Sequence, residues 1–319
     1  MTGNPTGAPR VSIIIPNWNG LKLLRPCLDS LRQQTFADLE VIVVDNASTD
    51  GSVEALQREY PEVRVLALTT NGGYSGGCNA GIRTARGQIL VMLNNDTEVE
   101  PDWMAALVDA LDRHPEAGSA ASRIMLYSDR QKLHSAGDYY RRNGLPDSRG
   151  VWQPYGAPYN EESLVFGGCG GAVAYRREMI EDVGLFEERF FMYCEDVDLN
   201  WKAQLAGWKC VYAPNAVVYH HLSATGGGVL SSYYVGRNTL WVIARNYPTA
   251  LLKRHWREIV GAQWTIAREA LHAWRGAAAR ARLRGQLAGL FTSLRWLSAR
   301  KATLSAQRAT DAYIESILT

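Results

Sequence analysis

Two clusters of acids and a histidine pair in this sequence have the types and placing that chemistry on a charged ligand needs. Asp96 stands in Leu93-Asn94-Asn95-Asp96-Thr97, directly after the apolar run Ile89–Leu93. Such a run, bounded by polar residues, predicts a central strand buried on both faces. Ligands of open α/β sheets bind beyond the carboxyl ends of strands. Asp96 is therefore placed to hold a divalent cation that holds a diphosphate; a turn aspartate before a helix opened by Pro101 is the other reading. The second cluster, Glu195-Asp196-Val197-Asp198, follows the aromatic stretch Phe190–Tyr193. A carboxylate against a partly dry aromatic wall gains basicity, which suits one of these acids to general-base work. The alternative is simple pairing of acids with a helix N-terminus. His220 and His221 follow the strand Ala216–Tyr219. A neutral imidazole ligates metal, but neighbours on a strand point to opposite faces, so at most one of the two shares a site with Asp96.

The elements that must position these groups alternate. Val11–Ile15 reads as a first strand closed by Pro16, with Asn17-Trp18-Asn19-Gly20 as its loop. Leu21, Leu24, Leu28 and Leu31 are spaced for one helical face. Pro26 belongs in the first turn of that helix, where its missing N–H does no harm. Glu40–Val44 is a second strand ending in Asp45, whose carboxylate suits a ribose or base N–H, or a helix cap. Val63–Leu68 is a third. The glycine-rich Thr70–Gly81 reads as a loop whose glycines allow close backbone approach to a ligand, or as a flexible turn before a helix that Ile82–Arg86 continues; it lacks the Gly-Lys-Ser/Thr of a P-loop. Strand and helix alternating at short spacing predict a parallel sheet flanked by helices. The polar, aromatic stretch Tyr127–Pro158 reads as a hairpin or long loop able to grip an acceptor. A helix is expected from about Glu195 to Ala206, with Gly207 as its stop.

Bulk properties set limits. With 46% apolar and 21% charged residues the chain can bury a core, and a net charge of +2 is too small to argue for nucleic acid. The charge is uneven, however: Lys and Arg crowd the last third with few acids among them, so the remainder is acidic on balance. Trp256 and Trp264 recur there with Leu and Ile at helical spacing among Arg residues. Such helices suit a membrane surface, packing on the rest of the chain, or a homodimer contact. The five cysteines are scattered without a CxxC pair, which fits a reducing, cytoplasmic compartment. Met1–Pro9 reads as a loose tail rather than a signal peptide, and no apolar run reaches transmembrane length.

Six segments occur in an order that resembles the family 2 glycosyltransferases of GT-A fold, especially their rhamnosyltransferase-like bacterial members. They are VSIIIPNWN (Val11–Asn19), VIVVDNASTDGS (Val41–Ser52), NGGYSGGCNAG (Asn71–Gly81), LNNDT (Leu93–Thr97), FFMYCEDVDL (Phe190–Leu199) and HHLS (His220–Ser223). The resemblance spans Val11–Thr239. It implies an α/β GT-A domain over 11–229, with a Rossmann-like, mostly parallel sheet, a tail over 1–10 and a basic helical C-terminal region over 230–319. It implies that Pro16, Asn17, Asn19, Asp45, Asn71, Gly73, Asn79 and Asn95 bind the nucleotide. Asp96 and His220, with His221 as fallback, would hold Mg²⁺ or Mn²⁺. The family's Asp-x-Asp has Asn94 at its first position here, which leaves one carboxylate. Asp196 would be the catalytic base and Glu195 would position the acceptor near Gly168 and Trp152. Cys194 and Lys202 replace an aromatic residue and Arg.

The activity implied is inverting transfer of a sugar from a nucleotide-sugar donor, of dTDP-rhamnose or UDP-hexose type, to a hydroxyl of a glycan or lipid-linked acceptor in cell-surface polysaccharide synthesis. The setting would be the cytoplasm, at the inner membrane face. A catalytically inactive nucleotide-binding scaffold subunit is the competing function; Asp45, Asp96, Glu195, Asp196 and His220 occurring together speak against it. A nucleotidyltransferase would carry a Gly-rich basic signature after the first strand, which Asn17–Gly20 lacks.

Overall fold

The computed structural model describes residues 7–222 and 228–319. Most of the expected tail and Ser223 of the HHLS segment lie outside the described residues. The elements run β1 (Val11–Asn17), α1 (Leu21–Leu31), β2 (Leu39–Asp45), α2 (Ser52–Glu59), β3 (Arg64–Ala67), α3 (Gly73–Thr84), β4 (Ile89–Leu93), β5 (Thr97–Val99), α4 (Trp103–Arg113) and β6 (Ala117–Leu126). Then come β7 (Leu133–Ala136), β8 (Asp138–Tyr140), β9 (Pro146–Ser148), β10 (Ser163–Val165), β11 (Ala172–Arg176), α5 (Arg177–Val183), α6 (Glu195–Leu205) and β12 (Lys209–His220). The chain finishes with α7 (Val229–Asn246), α8 (Thr249–His272), α9 (Ala277–Thr292), α10 (Leu297–Ser305) and α11 (Asp311–Ile317).

The main sheet has the order β10-β12-β6-β11-β4-β1-β2-β3. β3, β2, β1 and β4 are parallel; β11 runs antiparallel between β4 and β6. Alternate residues of β1 and β2 feed opposite cores, as the two-residue period of a strand requires. Ile13, Ile15 and Val43 pack with α1 and α4, whereas Ile14, Ile42 and Val44 pack with α3 and α6. The chain goes from β1 outward to β2 and β3, then returns to β4 on the other side of β1. That reversal opens a crevice beyond the carboxyl ends of β1 and β4, where ligands of such sheets bind.

Four local expectations change. β1 continues through Pro16 to Asn17, which brings Asn17 onto the sheet's rim. Pro26 lies inside α1 rather than in its first turn. It is tolerated because Pro26 and Lys22, whose carbonyl it leaves without a helical partner, both face solvent. Pro101 precedes α4 by two residues, and the short strand β5 intervenes after Asp96 to pair with β12. The stretch read as a glycine loop is mostly helix α3. A Cβ on Gly81 would lie 2.4 Å from Ile14 Cγ2, so that glycine admits the sheet, not a ligand.

The C-terminal helices are fastened to the sheet-containing half. Trp241, Trp296, Ile314 and Leu318 share one core with Phe190, Trp201 and Tyr140. Asp198 of α6 is buried against α7, accepting from Asn246 Nδ2 at 2.7 Å and pairing with Arg245 at 3.2 Å. Among the described residues no helix is long and apolar enough to cross a membrane.

Candidate active site

At the crevice the polar residues of β1, β2 and β4 bind one another. Asn95 Nδ2 donates to Asn17 Oδ1 at 2.8 Å, and Asn17 Nδ2 donates to Asp45 Oδ1 at 3.2 Å and Ser52 Oγ at 3.1 Å. Asp45 Oδ2 accepts the Ser48 N–H at 2.9 Å. This buried chain fixes the rim from which Asn19, held on Thr49 N–H and Ser48, reaches outward. Pro16 sits one residue back in β1. Asn71 Oδ1 accepts from Gly73 N–H at the start of α3. Asn79 is deeper: its amide is taken up by the Phe186 backbone and the Glu188 carboxylate, so it braces α3 against the segment before α6.

Asp96 and His220 meet. β5 pairs with β12 in a register that puts Thr97 opposite His220, and His220 Nε2 lies 3.1 Å from Asp96 Oδ1. Two cis ligands about 2.1 Å from an octahedral cation are separated by about 3.0 Å, so this donor pair fits Mg²⁺ or Mn²⁺. His134 of β7 was not foreseen. Its Nδ1 lies 3.1 Å from His220 Nδ1. Burial, then the neighbouring His220, pushes the His134 imidazole down to about 3, so it is neutral. If His220 donates through Nδ1, its Nε2 lone pair is left for a cation, the usual arrangement of a metal-binding histidine and its outer partner. His221 turns away, stacks on Tyr127 and approaches Glu98 at 3.2 Å.

Asp196 begins α6 beside the glycine cluster. Its Oδ2 accepts from Gly170 N–H and its Oδ1 from Val197 N–H, each at 2.8 Å, while Tyr74 donates to the Gly170 carbonyl. A Cβ on Gly170 would lie 3.2 Å from both Asp196 Oδ2 and Tyr74 Oη, which explains the glycine. The neighbouring Gly171 borders the other half of the site: a Cβ there would stand 3.6 Å from Asn94 Nδ2 and 3.8 Å from His220 Cε1. Gly170–Gly171 thus connects the Asp96–His220 pair to Asp196. Burial raises the Asp196 carboxyl against the opposing pull of its backbone donors, and burial plus Asp196 raises Glu195 well above the usual range. Among the described residues Glu195 Oε2 is buried with no hydrogen-bond partner.

The turn that presents these acids is strained. Phe191, Tyr193 and Cys194 adopt φ of 66°, 65° and 65°, uncommon for residues with side chains. Asn238 of α7, fully buried, secures them: its Nδ2 donates to the carbonyls of Phe190, Met192 and Tyr193. The only sequence signal for Asn238 is a polar residue on an otherwise apolar helix face.

The family model for glycosyl transferase family 2 matches residues 12–184, more than half of the chain. The chain belongs to glycosyl transferase family 2. It is 32% identical over 226 residues to an N-acetylglucosaminyl-diphospho-decaprenol L-rhamnosyltransferase of Mycobacterium tuberculosis, covering 63% of this chain and 72% of that one. It is 31% identical over 230 residues to the O-antigen biosynthesis protein RfbC of Myxococcus xanthus, covering 69% of this chain but 18% of that one. The fold matches a Pyrobaculum calidifontis mannosyltransferase solved with GDP-Man and Mn²⁺, at TM-score 0.58, 22% identity and coverage of 95% and 87%. It also matches GalNAc-T7 with UDP, GalNAc and Mn²⁺, at TM-score 0.67, 16% identity and coverage of 98% and 58%. The GT-A architecture expected from the sequence is therefore present.

Of the acceptor residues expected for this family 2 enzyme, Gly168 is buried with its carbonyl accepting from Asn200, and Trp152 is an exposed side chain in the loop after β9, its N–H donating to Leu133. A further acid, Asp138 at the start of β8, was missed. Asp138, Cys169 and Asp196 bring their polar atoms within 4.8 Å of one another. Burial, then the charge of Asp196, pushes Asp138 up to about 7, and burial keeps the Cys169 thiol protonated. A protonated thiol is a poor ligand for a hard, oxygen-seeking cation. The chemical consequence of the cluster lies instead in the basicity of its carboxylates.

Proposed function

We propose that this transferase is metal-dependent and inverting, and that it moves a sugar, rhamnose from a dTDP donor in the first instance or a hexose from a UDP donor, to a hydroxyl of a lipid-linked glycan in cell-surface polysaccharide synthesis. The observation that carries the reading is Asp196, whose carboxylate is held on the Gly170 N–H and separated from the Asp96–His220 pair by two glycines. The rhamnosyl and O-antigen activities in the relatives' names support the substrate class.

The rim built from Asn17, Asp45 and Asn95 orients the nucleotide. Asp96 and His220 would hold Mg²⁺ or Mn²⁺, which supplies charge stabilisation to the departing nucleoside diphosphate. Asp196 takes the proton from the acceptor hydroxyl as its oxygen attacks the anomeric carbon opposite the leaving group. Glu195, protonated, donates a hydrogen bond that aims the acceptor. One displacement inverts the anomeric configuration. The test is the anomeric configuration of the product, read by NMR with an anomerically defined donor. Inversion is expected; retention would overturn the single-displacement mechanism.

A further inference from the structure

The catalytic half of the molecule does not use the outer faces of α8 and α9. Among the described residues, ten of the sixteen exposed large hydrophobic side chains fall between 256 and 297. On α8, Trp256, Val260 and Trp264 are 52%, 57% and 67% exposed. At about 100° per residue they occupy a single arc of roughly 80°, which Lys253 shares and Arg257 and Arg268 border. The opposite side of α8, carrying Leu251, His255 and Ile259, is the buried one. On α9, Leu287, Leu290 and Phe291 are 55%, 62% and 78% exposed, while Ala281, Gly285 and Gly289 face inward. A Cβ on Gly285 would lie 2.1 Å from the Tyr233 carbonyl oxygen, so α9 is pressed against α7 and cannot rotate its apolar side inward. The two helices touch each other through Gln286 and Gln263.

Isolated exposed hydrophobics are ordinary; two adjacent stripes on fixed helices mark an interaction surface. Charge decides the occupant. Between 249 and 305 the sequence has eleven Lys and Arg against two acids, Glu258 and Glu269. A symmetric contact with a second copy would set this basic face against itself. Apolar side chains with tryptophan and interspersed arginine fit a surface that is anionic outside and apolar just beneath. We propose that the exposed faces of α8 and α9 dock on an anionic lipid bilayer, lying in its interfacial plane. This deepens the lipid-linked acceptor reading above and rests on it only for its use; the docking itself stands on the surface. Because α9 packs on α7, and Asn238 of α7 holds the turn before Asp196, the docked helices and the catalytic turn form one packed unit.

The experiment is flotation of the full chain with vesicles of phosphatidylcholine alone or mixed with phosphatidylglycerol, at low salt and at about 0.5 M salt, where charge is screened within a few ångströms. Trp264→Ser/Phe291→Ser and Arg257→Gln/Arg268→Gln variants are compared with the parent. Binding is expected with the anionic vesicles, reduced about tenfold or more by either double variant and weakened by salt, since each basic group near the surface is worth about fivefold in affinity. Equal binding to neutral vesicles, or none to either kind, would overturn the proposal. So would a dimer in light scattering that the serine variant dissociates. Nucleoside diphosphate release in vesicle-free buffer, measured alongside, separates failure of docking from failure of the transferase reading.

Discussion

Asn238→Ala is expected to slow catalysis with little effect on donor binding. In the structure one amide serves three backbone carbonyls, at 3.1, 2.9 and 2.7 Å, and the chain between them includes residues at φ of 66° and 65°. Each strained residue costs about 1–3 kcal/mol and persists only where its surroundings over-determine it. The amide has two N–H groups worth roughly 1 kcal/mol each, and loss of this donor by the Met192 and Tyr193 carbonyls adds about 1–3 kcal/mol, while Arg237 still donates to the Phe190 carbonyl. A total of about 3–5 kcal/mol is enough to let the turn relax. Asp196, three residues beyond Tyr193, would move with it, and a displacement on the order of 1 Å costs about 10²-fold in rate. The assay is steady-state release of nucleoside diphosphate across a donor titration, with thermal melting in parallel. The expected result is a kcat about 10²-fold lower, an unchanged donor KM because the Asn17–Asp45–Asn95 rim is elsewhere, and a Tm lowered by several degrees. A variant that melts lower yet keeps its kcat would refute the coupling between clamp and catalytic turn.

Asp138→Asn is expected to alter the pH dependence of stability. A carboxyl raised from about 4 to about 7 on folding contributes stability that is fully present below pH ~4 and lost as pH rises through ~7, an effect of a few kcal/mol. The amide keeps the acceptor oxygen for the Ser135 and Ser148 hydroxyls but cannot ionise. Melting curves should therefore show the variant gaining on the parent from pH 4 to pH 8; parallel curves would count against a buried ionising Asp138. His134→Ala is expected to raise the Mn²⁺ concentration for half-maximal activity about 10–100-fold by freeing His220 to adopt the wrong tautomer, and an unchanged metal titration would remove His134 from that role.

The parts of the site that are legible in the sequence are those in which an apolar strand run ends in an acid: Asp45 and Asp96 lie at the carboxyl ends of β2 and β4, whereas Asn17 reads as loop and stands on β1. The acids of α6 were legible because aromatic residues precede a helix start. What escaped notice depends on pairing across long separations. His134 reaches His220 across 86 positions, and Asp138 approaches Asp196 only because β8 folds back beneath the glycine cluster. Asn238 is one polar residue in a helix that looked like mere continuation. The glycines of α3 are ambiguous in the sequence for a physical reason, since a helix lying close on a sheet needs the same small residues as a phosphate-cradling loop.

The most direct test is nucleoside diphosphate release from a panel of dTDP-, UDP- and GDP-sugars, with the lipid-linked glycan acceptor supplied, in Mg²⁺, Mn²⁺ or chelator, by the parent, Asp96→Ala and Asp196→Ala. The account predicts release from one donor class, dTDP-rhamnose first, that stops with chelator and is lost in both variants. Release that persists in chelator, or in Asp196→Ala at the parent rate, would contradict it.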